Sequence, residues 1–77
     1  MNALIPLSMV SPGEEVRLVA IQGGWGVRRR LADMGLTPGE KLWVVQSGYS
    51  GPLLIAVRDS RLALGRGMAH KIMVEPT

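Results

Sequence analysis

The chain runs to 77 residues with no cysteine, and its 9 lysines and arginines against 6 aspartates and glutamates leave a net charge of +3. A domain of this size buries only ~60–65% of the surface its unfolded chain exposes, and lack of cysteine excludes both a disulfide framework and thiolate metal ligation as additions to a small core. The longest apolar run, Leu53 to Val57, is far short of the ~18–20 residues that span a bilayer, and the N-terminus lacks a basic start followed by an apolar stretch, so the expectation is a soluble, cytoplasmic chain forming one domain over residues 1–77.

In chain order, the first signal is Ser11-Pro12-Gly13-Glu14, which returns nearly unchanged as Thr37-Pro38-Gly39-Glu40. Proline fits position i+1 of a tight turn, where its φ is already correct, and glycine fits i+2, where a type II turn needs positive φ. Each turn leads into a short run rich in apolar and β-branched residues, Glu15 to Ile21 and Lys41 to Val45. In the first, Val16, Leu18 and Ala20 share one strand face, and Arg17, Val19 and Ile21 the other. Two copies are too few for a solenoid, so the repeat reads as one device used twice, a turn that launches a barrel strand.

Between the two phrases, residues 23–35 (GGWGVRRRLADMG) change period. Val27, Leu31 and Met34 stand at i, i+4 and i+7 and make one apolar stripe, while Arg28, Arg29 and Asp33 point elsewhere. This predicts a short amphipathic helix, ended by Gly35 in the left-handed conformation and blocked from continuing by Pro38. Arg29 and Asp33, four residues apart, can pair across one turn. The dense Arg28-Arg29-Arg30 run reads first as a solvated helix face.

Residues 47–52 form a polar, glycine-rich loop, and Leu53 to Arg58 a third strand. Asp59-Ser60 is expected to be the two-residue turn of a hairpin leading to Arg61–Leu64, with one helical turn over 65–70 and a last strand over 71–75. The fold class that results is mainly β. It is a small, SH3-like, partly open barrel of about five strands, with one short helix inserted after the first strand and a short helical turn before the last.

The chain offers little for catalysis. It has one histidine, and Glu14, Glu15, Glu40 and Asp59 all fall in or beside turns, where carboxylates are usually solvated. No catalytic residue is assigned, and the expectation is a protein that is not an enzyme. His70, even with Met68 and Met73 nearby, falls short of the three or four protein ligands of a typical transition-metal site, so no metal ligand and no cofactor is assigned. Gly23-Gly24-Trp25-Gly26 precedes a helix but matches neither phosphate-loop pattern. Trp25, Trp43 and Tyr49 are too few aromatics to favour a proline-peptide groove or a base-stacking platform.

The ordered set Arg30-Leu31, Asp33-Met34-Gly35-Leu36, Pro38-Gly39, Gly51-Pro52, Leu62-Ala63-Leu64, Ala69 and Ile72 resembles the ferrous iron transport protein A family, FeoA, over nearly the whole chain. Related domains form the C-terminal module of metal-dependent transcriptional repressors, and with no winged-helix portion ahead of it the sequence looks like the free-standing form. The resemblance implies an SH3-like fold and a cytosolic accessory that docks on and modulates the membrane ferrous transporter, FeoB, through its G-protein domain or other cytoplasmic parts. It carries over no catalytic motif.

For the partner-binding surface the expected residues are Arg28 and Arg29 on the helix, Tyr49 in the loop, and Arg61 and Arg66 near the last turn, because exposed arginines and loops are favoured at interfaces. A sharper form makes one of these arginines an activating finger for the transporter's GTPase. Two alternatives come from other classes. One is a small basic barrel that binds nucleic acid through its arginines, which the scarcity of aromatics disfavours. The other is a metal-linked, self-assembling regulatory module bridged at His70.

Overall fold

A computed structural model of the chain describes residues 3–48 and 51–77. Six strands occur among them: Ile5–Pro6 (β1), Glu15–Ile21 (β2), Lys41–Gln46 (β3), Leu53–Val57 (β4), Ser60–Leu64 (β5) and Ile72–Pro76 (β6). Trp25–Asp33 (α1) lies between β2 and β3, Arg66–Ala69 (α2) between β5 and β6, and a 3-10 turn at Leu7–Met9 follows β1. The strands form a single sheet in the order β1-β6-β2-β3-β4-β5 with every pairing antiparallel.

That sheet has to curl. Leu64 of β5 lies far from Val74 of β6 in strand order, yet both join one apolar cluster with Val16, Leu18, Leu42, Val44, Ile55 and Val57. Alternate residues of a strand point to one face, and the inward set from every strand after β1 meets here, joined by Leu31 of α1 and Leu7 of the 3-10 turn. The result is the expected SH3-like barrel.

Three details differ from the expectation. The sheet has six strands because Ile5–Pro6 pairs with Val74 and Met73. Two residues carry no period, and proline is tolerated here because β1 is an edge strand. In β2 a bulge shifts the register between Leu18 and Ala20, and the extra residue turns Ile21 inward with Val16 and Leu18. Strict alternation had given that place to Ala20. The β4–β5 hairpin turns at Arg58 and Asp59, since Val57 pairs with Ser60, one residue ahead of the expected Asp59-Ser60. Arg58 takes φ 53°, the left-handed conformation that residue types other than glycine seldom adopt, and no residue type in the sequence announces it.

Helix α1 ends as predicted. Gly35 sits at φ 86°, its amide donates to the Ala32 carbonyl at 2.9 Å, and the Leu36 amide donates to the Leu31 carbonyl at 2.9 Å. This is a Schellman cap, and Leu31 and Leu36, both fully buried, supply the apolar contact that accompanies it.

Candidate functional site

The residues of α1 that are off its apolar stripe form the most distinctive surface. Leu31 is buried, Val27 and Met34 pack on the core, and at ~100° per residue Trp25, Arg28, Arg29 and Ala32 stand together on the opposite side at i, i+3, i+4 and i+7. These four, with Gly26, line a hollow of about 640 Å³. Trp25 is 85% exposed, the most open large apolar side chain among the described residues.

A second hollow, of about 330 Å³, shares Arg28 and Ala32 and continues to Val19 and Ala20 of β2 and to Thr37 and Pro38 of the second turn. The turn is braced there, because Arg17 Nη1 donates to the Gly39 carbonyl at 3.1 Å. The bulged stretch of β2 helps form this surface, as Val19 and Ala20 line it together with the nearly buried Ile21. Arg28 and Arg29 make no ion pair among the described residues, and the expected Arg29–Asp33 pair is not formed. Their charge is left available to a partner.

The other expected contact residues lie elsewhere. Arg61 stands exposed on the edge strand β5, beside Ala56 of β4. Arg66 opens α2 half-buried, and its Nη2 donates to Ser47 Oγ at 3.2 Å, so it braces the start of the loop that follows β3. Tyr49 lies outside the described residues. The hollow therefore brings Arg28 and Arg29 together and does not include Arg61 or Arg66. Trp25, not among the expected contact residues, lines the same hollow as Arg28 and Arg29. Its signal was present in the helical wheel, which puts it opposite the Val27-Leu31-Met34 stripe.

Polar chemistry elsewhere is sparse. The one ion pair among the described residues joins Arg58 to Glu40. Hydrogen bonding from Arg58 holds the Glu40 carboxyl below its ordinary value, with the attraction of the two charges adding to this and desolvation opposing it. Glu15 accepts a hydrogen bond from Thr77 Oγ1 at 2.8 Å. His70 is exposed, with Nδ1 3.3 Å from Ser8 Oγ, which links α2 to the 3-10 turn. Among the described residues no three of His, Asp and Glu cluster closely enough to hold a metal ion, and no helix is long and apolar enough to cross a membrane.

Comparison with known proteins agrees with this architecture. The model of the FeoA domain matches residues 5–76. A curated protein of Methanocaldococcus jannaschii, "Putative Fe(2+) transport protein A", is 43% identical over 72 residues, 94% of this chain and 87% of its own length. A crystal structure described as "Iron Uptake Regulatory Protein (FeoA)" superposes with a TM-score of 0.92 at 40% identity, covering 97% of this chain and 100% of the other. A manganese-dependent transcriptional repressor superposes with a TM-score of 0.90 over 100% of this chain and 44% of its own, and at 19% identity that likeness shows the fold alone. With a family model spanning both Pro-Gly-Glu turns, α1 and all six strands, the chain belongs to the FeoA domain family.

Proposed function

We propose that this protein is a non-enzymatic accessory of ferrous-iron uptake, which docks on cytoplasmic parts of the membrane ferrous transporter, FeoB, and modulates it. The observation that carries the reading is its family membership, with 43% identity to a relative named for Fe(2+) transport. The contact surface is the outward side of α1. Tryptophan and arginine are the residue types that most often carry binding energy at protein interfaces, and here Trp25, Arg28 and Arg29 line one hollow.

The test is capture of the intact, detergent-solubilised transporter by the immobilised protein, with an Arg28→Glu/Arg29→Glu variant of intact fold alongside. Capture by the native protein and loss in the variant supports docking through α1, whereas equal capture by both moves the contact off the helix. No capture by either, with ferrous uptake unchanged in cells lacking the protein, would remove the reading.

A further inference from the structure

We infer that the outer face of the sheet from β2 to β5 is self-complementary and pairs two copies of this chain about a two-fold axis. The strand register places four residues in one row across four strands. Glu15 pairs with Trp43, Trp43 with Ala56, and Ala56 with Arg61. Their sequence neighbours Val16, Leu42 and Val57 are buried, and Leu62 packs against the core, so the row itself faces outward. At ~4.8 Å between strands it is roughly 14 Å long.

The order of chemistry along the row is what points to a second copy. An acid stands at one end and a base at the other, with a 40% exposed indole and a methyl side chain side by side between them. Rotation by half a turn about an axis parallel to the strands, midway between β3 and β4, reverses this order. Glu15 of one copy then faces Arg61 of the other, and Trp43 fits over the notch at Ala56. Two-fold symmetry makes every such contact occur twice.

The flanking rows are compatible. On one side, Val45, 37% exposed in the β3 bulge, and half-buried Leu54 add apolar surface. On the other, Lys41 of one copy approaches Arg58 of the second, a contact of like charges that the Glu40–Arg58 pair lessens. Arg61 makes no ion pair among the described residues, which leaves it open to Glu15 of the second copy. A purely acidic partner would satisfy Arg61 but leave Glu15 facing like charge, whereas the same row reversed satisfies both.

The test is sedimentation equilibrium of the full chain from micromolar to millimolar concentration, with the fold of each variant checked by circular dichroism. The native protein is expected to form a dimer. Glu15→Arg and Arg61→Glu are each expected to weaken it at least about tenfold, since each reversal places like charges together at two symmetric points. A one-to-one mixture of the two variants should dimerise again, because each supplies the charge the other lacks. If Glu15→Arg does not fold, Arg61→Glu and Ala56→Trp, both on the outer face, must each weaken the dimer. A native protein that stays single throughout, folded variants that associate as the native chain does, or a mixture of folded variants that fails to recover would each overturn the inference.

Discussion

The Gly13 amide donates to the Val44 carbonyl at 2.7 Å, and the Val44 amide donates back to the Glu14 carbonyl at 3.2 Å. These partners are far apart in the chain, and the second Pro-Gly-Glu turn repeats the relationship in reverse. There the Gly39 amide donates to the Leu18 carbonyl at 2.8 Å, and the Leu18 amide donates to the Glu40 carbonyl at 2.9 Å. Each turn thus launches one strand and fastens the other, at Val44 of β3 and at Leu18 in the middle of β2, so the stretch over which β2 and β3 pair is held at both ends by two copies of one device. Their ladder, Glu15 to Trp43 through Arg17 to Lys41, runs between the two clasps.

This arrangement depends on glycine at both turns. Gly13 and Gly39 hold φ of 90° and 99°, and each closes a turn in which the following glutamate amide donates to the Ser11 or Thr37 carbonyl. A Cβ at either position would meet nothing within 4 Å, so the penalty of substitution is conformational and not a clash. Gly13→Ala and Gly39→Ala are each expected to lower unfolding free energy by about 1–2 kcal/mol. Gly26→Ala, inside α1 with equal room, is expected to raise it by roughly 0.5–1 kcal/mol. Urea titrations of the three variants check both signs, and a neutral result at Gly13 and Gly39 would separate the clasps from stability.

Both turns and the cap at Gly35 were legible in the sequence because glycine and proline act locally. The stripe of Val27, Leu31 and Met34 was legible because its period matches the helix. What the sequence did not disclose is set by tertiary pairing. Ile5–Pro6 is a strand only because β6 offers it a ladder, and Ile21 faces inward only because β2 bulges against β6. For the candidate site, the arginines were legible by charge and Trp25 by its position on the helical wheel. That Trp43 lies between Glu15 and Ala56 is a matter of register, which a single strand does not encode.

Leu31 ties the cap of α1 to the core. Its carbonyl accepts from both the Met34 and Leu36 amides, at 3.0 and 2.9 Å, while its side chain is fully buried. Leu31→Ala is expected to cost about 2–5 kcal/mol, the range for removing a buried leucine side chain. Leu36→Ala, on the same cap, should fall in that range too. Because α1 carries the candidate surface, amide exchange over residues 25–33 should quicken in both variants more than in β3 or β4. Uniform quickening would show that the helix does not open separately from the sheet.

The Glu40–Arg58 pair sets a pH dependence of definite sign. Arg58 keeps the Glu40 carboxyl below its ordinary value of 4.5 in the folded protein. The stabilisation is therefore present above that value and is lost as the pH falls through the lower, folded one. Glu40→Gln should flatten the acid limb of a plot of melting temperature against pH, with little effect near neutrality because exposed pairs contribute modestly. Arg58→Gly should flatten the same limb while relieving the left-handed backbone at φ 53°. An acid limb unchanged in both variants would show that other carboxylates govern acid unfolding.

Trp25 separates binding from stability. With 85% of its surface open, it has little burial to lose, so Trp25→Ala should leave the unfolding free energy within about 0.5 kcal/mol of native. If the α1 hollow is the docking surface, the same change should weaken transporter capture by tenfold or more, as expected for an aromatic anchor beside two arginines. Ala32→Glu, also in the hollow, places a negative charge one turn from Arg28 and should weaken capture without disturbing the Leu31 side of the helix. Variants that melt like the native protein yet fail to bind would place the function on this face, because the Val27, Leu31 and Met34 side of α1 would remain docked on the barrel. Variants that bind normally would move docking to another surface while leaving the fold argument intact.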